Sequence, residues 1–199
     1  VAASDLVTLA DARAFLQKQT PDTAQDGLVQ SVITRASAAA RRFTEREFAP
    51  ASNGLMRTFE CEITQEAYLD LAPFDLRSVS LIQIDTDISA ITLSTDEYRL
   101  APITAPDGVY TGVRLAPLSL AVGRVMWRNR QVQITGNWGF ASVPEDVKHW
   151  TLVTVAEWLR KDAAAFSTVF NLTEDKVDRP EMLPRAVQAG LARWKRAAF

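Results

Sequence analysis

Apolar residues change their spacing twice along this chain, and the two changes divide it into three zones. In the first zone, Leu9, Ala12, Phe15 and Leu16 recur at helical intervals, predicting a short helix over about 8–19. Thr20, Pro21 and Asp22 interrupt the pattern. A longer helix is expected over about 26–43, with Leu28, Val32, Ala36, Ala39 and Phe43 as its stripe, joined by Val29, Ile33 and Ala40. The alanines on this helix allow close packing against a neighbour. Pro50, Ser52, Asn53 and Gly54 close the zone.

From Leu55 the period drops to two. Phe59, Cys61 and Ile63 alternate with Thr58, Glu60, Glu62 and Thr64, which reads as a half-buried strand. Further strands are expected over 68–71, 79–84, 91–93, 98–100, 109–115, 125–127 and 131–135, separated by Pro, Gly and Asp. So many short runs argue for an antiparallel sheet or a small barrel-like fold. The third zone is helical again. Ser142 with Glu145 reads as a capping box, and Pro144 suits the first turn of a helix running to about 162. A last helix should start near Pro184, with Val187, Leu191, Trp194 and Ala198 on one face. The expected fold class is α+β. N- and C-terminal helices (1–54 and 136–199) form a helical bundle, with an antiparallel β subdomain (55–135) inserted between them.

Composition narrows the function classes. The 199 residues carry a net charge of -2 and 47% apolar residues, ordinary for a globular protein with a sizeable core. The charge balance does not by itself point to nucleic acid. No apolar run approaches the roughly 20 residues of a membrane span. The opening residues lack the basic and apolar blocks of a signal peptide. A single cysteine, Cys61, leaves no partner for an intrachain disulfide and suggests a reducing, cytoplasmic setting. No cofactor is expected.

Candidate chemistry is sparse. The single histidine, His149, lacks the partners of a transition-metal site and reads as a surface or interface residue. Cys61 lies on the apolar side of its strand and reads as a buried thiol. Asp85 and Asp87 lack the oxygen ligands and glycine of an EF-hand-like loop. Gly136 and Gly139 do not form a phosphate-binding loop, since neither G-x-G-x-x-G nor a following Gly-Lys-Ser/Thr occurs. The 136–139 segment, Gly-Asn-Trp-Gly, reads instead as a turn in which Gly136, Trp138, Gly139 and Pro144 link the sheet to the next helix. Arg124, Arg128 and Arg130 surround Trp127, a pattern compatible with nucleic-acid binding or with a charged edge strand. Trp150 and Val153 fall on the polar side of their helix, so either the β insertion or another subunit should cover them. Arg193, Lys195 and Arg196 complement the negative end of the last helix dipole, or form a docking tail.

Several stretches together resemble a known family. They are 6–12 (LVTLADA), Ala36-Ser37-Ala38-Ala39-Ala40 before 43–48 (FTEREF), 69–73 (LDLAP) with 77–79 (RSV), 96–100 (DEYRL), 135–140 (TGNWGF) with 143–147 (VPEDV), and 183–187 (LPRAV). In this order they resemble the head-tail connector, or adaptor, proteins of long-tailed phages and gene transfer agents. The match is to the gp6-like group in its longer form with a strand-rich insertion. Glu45 departs from the pattern, since the family often has Gly after Thr44, and Glu suits a helix end. The resemblance implies a structural protein rather than an enzyme. It implies a ring homo-oligomer, commonly a dodecamer, at the neck of the virion after assembly in the host cytoplasm. Its partners would be the portal protein above, a stopper or tail-terminator protein below, and DNA passing through without sequence-specific contact; no membrane is involved. Carried over to this chain, the portal-docking segment is the final helix with Trp194, Lys195, Arg196 and Phe199. Two other readings compete: a nucleic-acid or sugar-binding module using Tyr98, Tyr110 and Trp127, and an enzyme built on the scattered carboxylates Asp70, Asp75, Asp85 and Asp87. On the adaptor reading, changes at Gly136 or Pro144 should disturb assembly before solubility.

Overall fold

The computed structural model describes residues 5–16, 25–49, 53–61, 68–85, 90–105, 107–115, 130–167 and 182–196. It is an α+β protein with two compact units, one formed by Val1–Arg46 with Val143–Phe199 and the other by Glu47–Ser142. The second unit extends beyond 55–135 at both ends. At its two margins Phe48 and Phe140 are buried, with ring centroids 5.4 Å apart.

The strand-rich unit contains β1 (Leu55–Cys61), β2 (Tyr68–Asp70), β3 (Leu76–Asp85), β4 (Ala90–Thr92), β5 (Tyr98–Ala101), β6 (Gly112–Leu115) and β7 (Arg130–Trp138). They form a four-stranded sheet in the order β1-β7-β3-β4 and a three-stranded sheet in the order β2-β6-β5. All pairings are antiparallel. The two-residue period explains the layering. Ile82, Ile84, Val132 and Ile134 send alternate side chains inward to meet Leu69, Leu71 and Val113 of the smaller sheet in one core. Thr58, Gln133 and Gln83 lie in register on the opposite face. A bridge between Leu76 and Tyr110, bonded in both directions at 2.9 and 2.7 Å, ties β3 to the chain entering β6. The 125–127 strand expected from the sequence lies outside the described residues.

Trp138 anchors this core. It is fully buried, and its indole N–H donates to the Leu55 carbonyl at 2.7 Å. Phe59 and Phe74 pack against its ring at 5.6 and 6.4 Å. The Arg57 guanidinium lies 3.4 Å over Phe74 and 5.4 Å from Trp138. Partial burial lowers the Arg57 pKa, and Glu47 opposes that shift.

The helical unit contains α1 (Leu9–Phe15), α2 (Asp26–Thr44), α3 (Glu145–Ser167) and α4 (Arg185–Leu191), followed by a 3-10 turn over Ala192–Trp194. Its core joins Val7 and Ala12 to Val29, Val32, Ile33 and Ala36 of α2 and to Val155 and Trp158 of α3. Leu28, expected in the stripe, is 43% exposed, because the buried arc centres on Val29, Val32, Ile33, Ala36 and Ala40. Ser37 is buried, and its hydroxyl accepts the Leu6 N–H at 3.0 Å. A complete capping box starts α1: the Thr8 hydroxyl accepts the Asp11 N–H at 3.1 Å, and the Asp11 carboxylate accepts the Thr8 N–H at 2.9 Å. The Thr8 hydroxyl also donates to the Asp11 carboxylate at 2.7 Å, and this bond, with that from the Thr8 N–H, holds the Asp11 carboxyl below its ordinary pKa. At α3, the Pro144 carbonyl accepts the Lys148 N–H at 3.0 Å, and the helix begins at Glu145. Pro144 therefore precedes the first helical turn rather than lying within it.

Two backbone positions correct the sequence reading. Gly136 and Trp138 belong to β7, so the turn begins only at Gly139, which has φ 73° and donates its N–H to the Asp75 carbonyl at 2.7 Å. Gly136 is needed for a different reason. A Cβ there would lie 2.2 Å from the Ser78 carbonyl oxygen, where β3 shifts register twice against β7. Glu45 adopts φ 57°, ψ 34° at the C-cap of α2, a left-handed conformation that favours glycine. Glu at this position therefore carries strain that a glycine would relieve.

Glu45→Gly should stabilise the chain by about 0.5–1 kcal/mol, as the relief of left-handed strain is partly offset by glycine entropy. Denaturant titration will read this; a destabilised variant would contradict the strain assignment. Gly136→Ala should destabilise by about 1–3 kcal/mol, since β3 must retreat from the added methyl group. A variant as stable as the parent would show that β3 yields freely.

Candidate functional site

Of the side chains singled out from the sequence, Trp150 and Val153 lie on α3, and Trp194, Lys195 and Arg196 on the segment that follows α4. Trp150 lies on α3 one helical turn before Thr154, whose hydroxyl donates to the Trp150 carbonyl at 2.9 Å. Its indole is half-buried against Gly190 of α4, where a Cβ would lie 2.0 Å from the ring. Part of the cover over Trp150 therefore comes from a helix of its own unit. Glycine at 190 lets the two helices come close enough for the indole to fill the gap. Val153 is half-buried on the adjoining flank of α3.

His149 stands beside this contact. Its ring meets Trp150 edge-on at 5.2 Å and Phe15 of α1 at 6.1 Å, and Phe15 is 39% exposed. Phe15 and His149 border a groove of about 330 Å³ with Asp11, Glu145 and Lys148. Lys148 pairs with Glu145 at 2.7 Å, and this bond raises the lysine pKa. The groove combines an aromatic wall with a neutralised charge pair and holds no activated nucleophile. Among the described residues, no group of three or more His, Cys, Asp and Glu side chains is placed to hold a metal.

The segment after α4 differs from the docking tail expected from the sequence. Val187, Leu191 and Trp194 are all buried, as their common face requires. Arg193 reaches back to Asp146 in the first turn of α3 at 2.6 Å, with its guanidinium 4.8 Å over the Trp194 ring. Arg196 is also buried, and its backbone N–H donates to the Thr44 carbonyl at 3.0 Å, closing the segment onto the end of α2. Trp194 and Arg196 are thus internal to the helical unit and not presented to a partner. Lys195 is exposed, and Phe199 lies outside the described residues.

Among the described residues, the competing constellations are not assembled. Tyr98 and Tyr110 pack against the core of the strand-rich unit, so they offer no free stacking platform. Trp127, Arg124 and Arg128 lie outside the described residues, and only the backbone of Arg130 is described, as the first residue of β7. Asp70 accepts the Ala72 N–H at 3.1 Å, Asp75 is fully buried, Asp85 ends β3, and Asp87 lies outside the described residues. Among the described residues, no helix is long and apolar enough to cross a membrane. Sequence reading did not single out Arg35 and Arg42, which line a notch with the buried Trp158.

No family model matches the chain, and no curated protein matches it. Among solved structures, it resembles a chain from the neck of an empty gene transfer agent particle, computed with C6 symmetry. The TM-score is 0.59 at 17% sequence identity, covering 98% of this chain and 91% of that one. At this identity the likeness establishes a shared fold, spanning both units.

Replacing Gly190 with Val should push the Trp150 indole away and loosen α4, costing about 1–3 kcal/mol. Hydrogen exchange should then accelerate over 185–194 and leave β3 and β7 unchanged. Exchange identical to the parent would remove Gly190 from its spacing role.

Proposed function

We propose that this protein is a structural head-tail adaptor in the neck of a phage or gene transfer agent particle. The observation that carries the reading is a fold shared along nearly the whole chain with a component of such a neck. The ordered sequence resemblance to phage adaptors, stated on different grounds, supports the same role. Six-fold symmetry in that neck is compatible with rings of six or twelve copies, and a dodecamer is the proposed state. Such a ring is a closed heterologous assembly, in which one surface of a subunit meets a different surface of the next.

In this reading the ring sits beneath the portal, extends the DNA channel and presents its far side to a stopper or tail-terminator protein. It is assembled in the host cytoplasm and retained in the virion neck. No step of the role requires a cofactor. Val153, with the exposed rim of Trp150, is proposed to meet the neighbouring subunit. At the C-terminal end, Lys195 with Phe199 is proposed to reach the portal, while Trp194 and Arg196 hold the segment in place from within.

Sedimentation velocity of the purified chain, alone and mixed with the portal protein encoded beside it, tests this role. The expected outcome is a ring-sized species or a stable complex with the portal. Lys195→Glu should weaken that complex at least several-fold and leave the fold intact. A chain that stays monomeric at high concentration and ignores its portal would contradict the proposal.

A further inference from the structure

The chain contains a single Asn-Gly pair, Asn53-Gly54, in the turn that leads into β1. Both residues are exposed. Gly54 adopts φ 68°, and a Cβ on it would meet no atom within 4 Å, so the space around this peptide is open. An asparagine followed by glycine carries an electrophile and a nucleophile side by side. The Gly54 backbone nitrogen can attack Asn53 Cγ and close a succinimide ring. Glycine offers the least steric resistance to that closure, because it has no Cβ.

Two neighbours act on this pair in opposite directions. The Arg77 guanidinium, on β3, donates to Asn53 Oδ1 at 3.5 Å. Arg77 is half-buried, and its Nε is enclosed without an acceptor among the described residues, so this cation is incompletely paired. A cation on a carbonyl oxygen draws electrons from the carbon and stabilises the oxyanion that forms when a nucleophile adds. Such a contact tightens as the negative charge develops. Asn137 of β7 does the reverse. Its Oδ1 accepts the Gly54 N–H at 3.1 Å, while its Nδ2 donates to Ser78 Oγ of β3 at 2.9 Å and fixes the side chain. An amide oxygen is too weak a base to take the Gly54 proton. The bond therefore shields that proton from hydroxide and holds the peptide away from Cγ.

We propose that Asn53 is a site of spontaneous deamidation, promoted by Arg77 and restrained by Asn137. Hydroxide removes the Gly54 amide proton, and the nitrogen adds to Asn53 Cγ with Arg77 facing the oxyanion. The bond that forms is Gly54 N–Cγ. The bond that breaks is Cγ–Nδ2, and its nitrogen takes a proton from water and leaves as ammonia. Water then opens the ring at either carbonyl, giving aspartate or isoaspartate. Nothing is oxidised or reduced, and water is the sole co-reactant. Aspartate places a carboxylate beside Arg77, while isoaspartate lengthens the main chain by a methylene at the entry to β1. The turn is thus a slow chemical clock that adds negative charge to the strand-rich unit. The inference does not rest on the neck reading.

The test is to incubate the purified full chain at mildly alkaline pH in water enriched in heavy oxygen, sampling by peptide mass spectrometry. Isoaspartate is counted with an isoaspartyl methyltransferase. The peptide holding Asn53 should pass through a form lighter by one ammonia and end as products carrying solvent oxygen, faster as pH rises. Arg77→Met should slow the reaction by about fivefold, and Asn137→Ala should speed it by about as much. Arg77→Lys, which keeps a cation, should fall between the parent and Arg77→Met. All these differences should vanish in chains unfolded by urea, where only the local sequence acts. An Asn53 that stays intact for weeks in the folded parent would overturn the proposal. Variants that react at the parent's rate, or differences that persist in urea, would overturn it too.

Discussion

Helix α3 must bury side chains on more than one flank, and the helical unit is arranged around that requirement. Val155 and Trp158 pack into the core with α2 and the segment around α1, while Trp150 faces α4. A helix with one apolar stripe could dock on a single layer. This one has to be enclosed, so α1, α2 and α4 gather about it. The indole of Trp150 lies against Gly190 of α4, and Arg193, just after α4, pairs with Asp146 of α3. Arg196 then seals the end of the unit onto Thr44 of α2. Among the described residues of this unit, the Phe15–His149 groove and Lys195 stay exposed and Val153 stays half-buried.

A comparable constraint governs the strand-rich unit. Trp138 sits where β7 ends, and its indole holds β1 through the Leu55 carbonyl while Phe59, Phe74 and Arg57 close around it. The ring can lie there only if β7 remains regular past Gly136, and glycine allows this by yielding to the Ser78 carbonyl of the irregular β3. The segment that first drew notice as a turn is thus mostly strand. Its role is architectural, and it belongs to the sheet core.

Much of the architecture was legible in the sequence because it follows from period alone. The alternation in 131–135 and the helical spacing of Leu28, Val32, Ala36, Ala39 and Phe43, joined by Val29, Ile33 and Ala40, each led to the element found, although Leu28 turned out exposed. What stayed hidden depended on contacts between distant residues. Nothing local says that Gly190 faces Trp150, so a tryptophan among polar neighbours left its cover open between the β insertion and another subunit. The basic cluster after α4 looked like a free tail because the Thr44 carbonyl that receives it lies 152 positions earlier. The left-handed Glu45 was invisible for another reason: its side chain is ordinary for a helix end, and only the backbone angle shows the cost. The proposed role rests on resemblance rather than on chemistry, since a structural adaptor would need no reactive constellation.

The central claim is that this chain occupies a ring in a particle neck, and an electron cryomicroscopy map of particles made from its own gene cluster tests it most directly. The account predicts density between portal and tail into which both units fit, repeated in a multiple of six, with the Trp150–Gly190 contact internal to each copy. A complete neck whose density is explained without this chain, or particles that join head to tail when its gene is deleted, would contradict it.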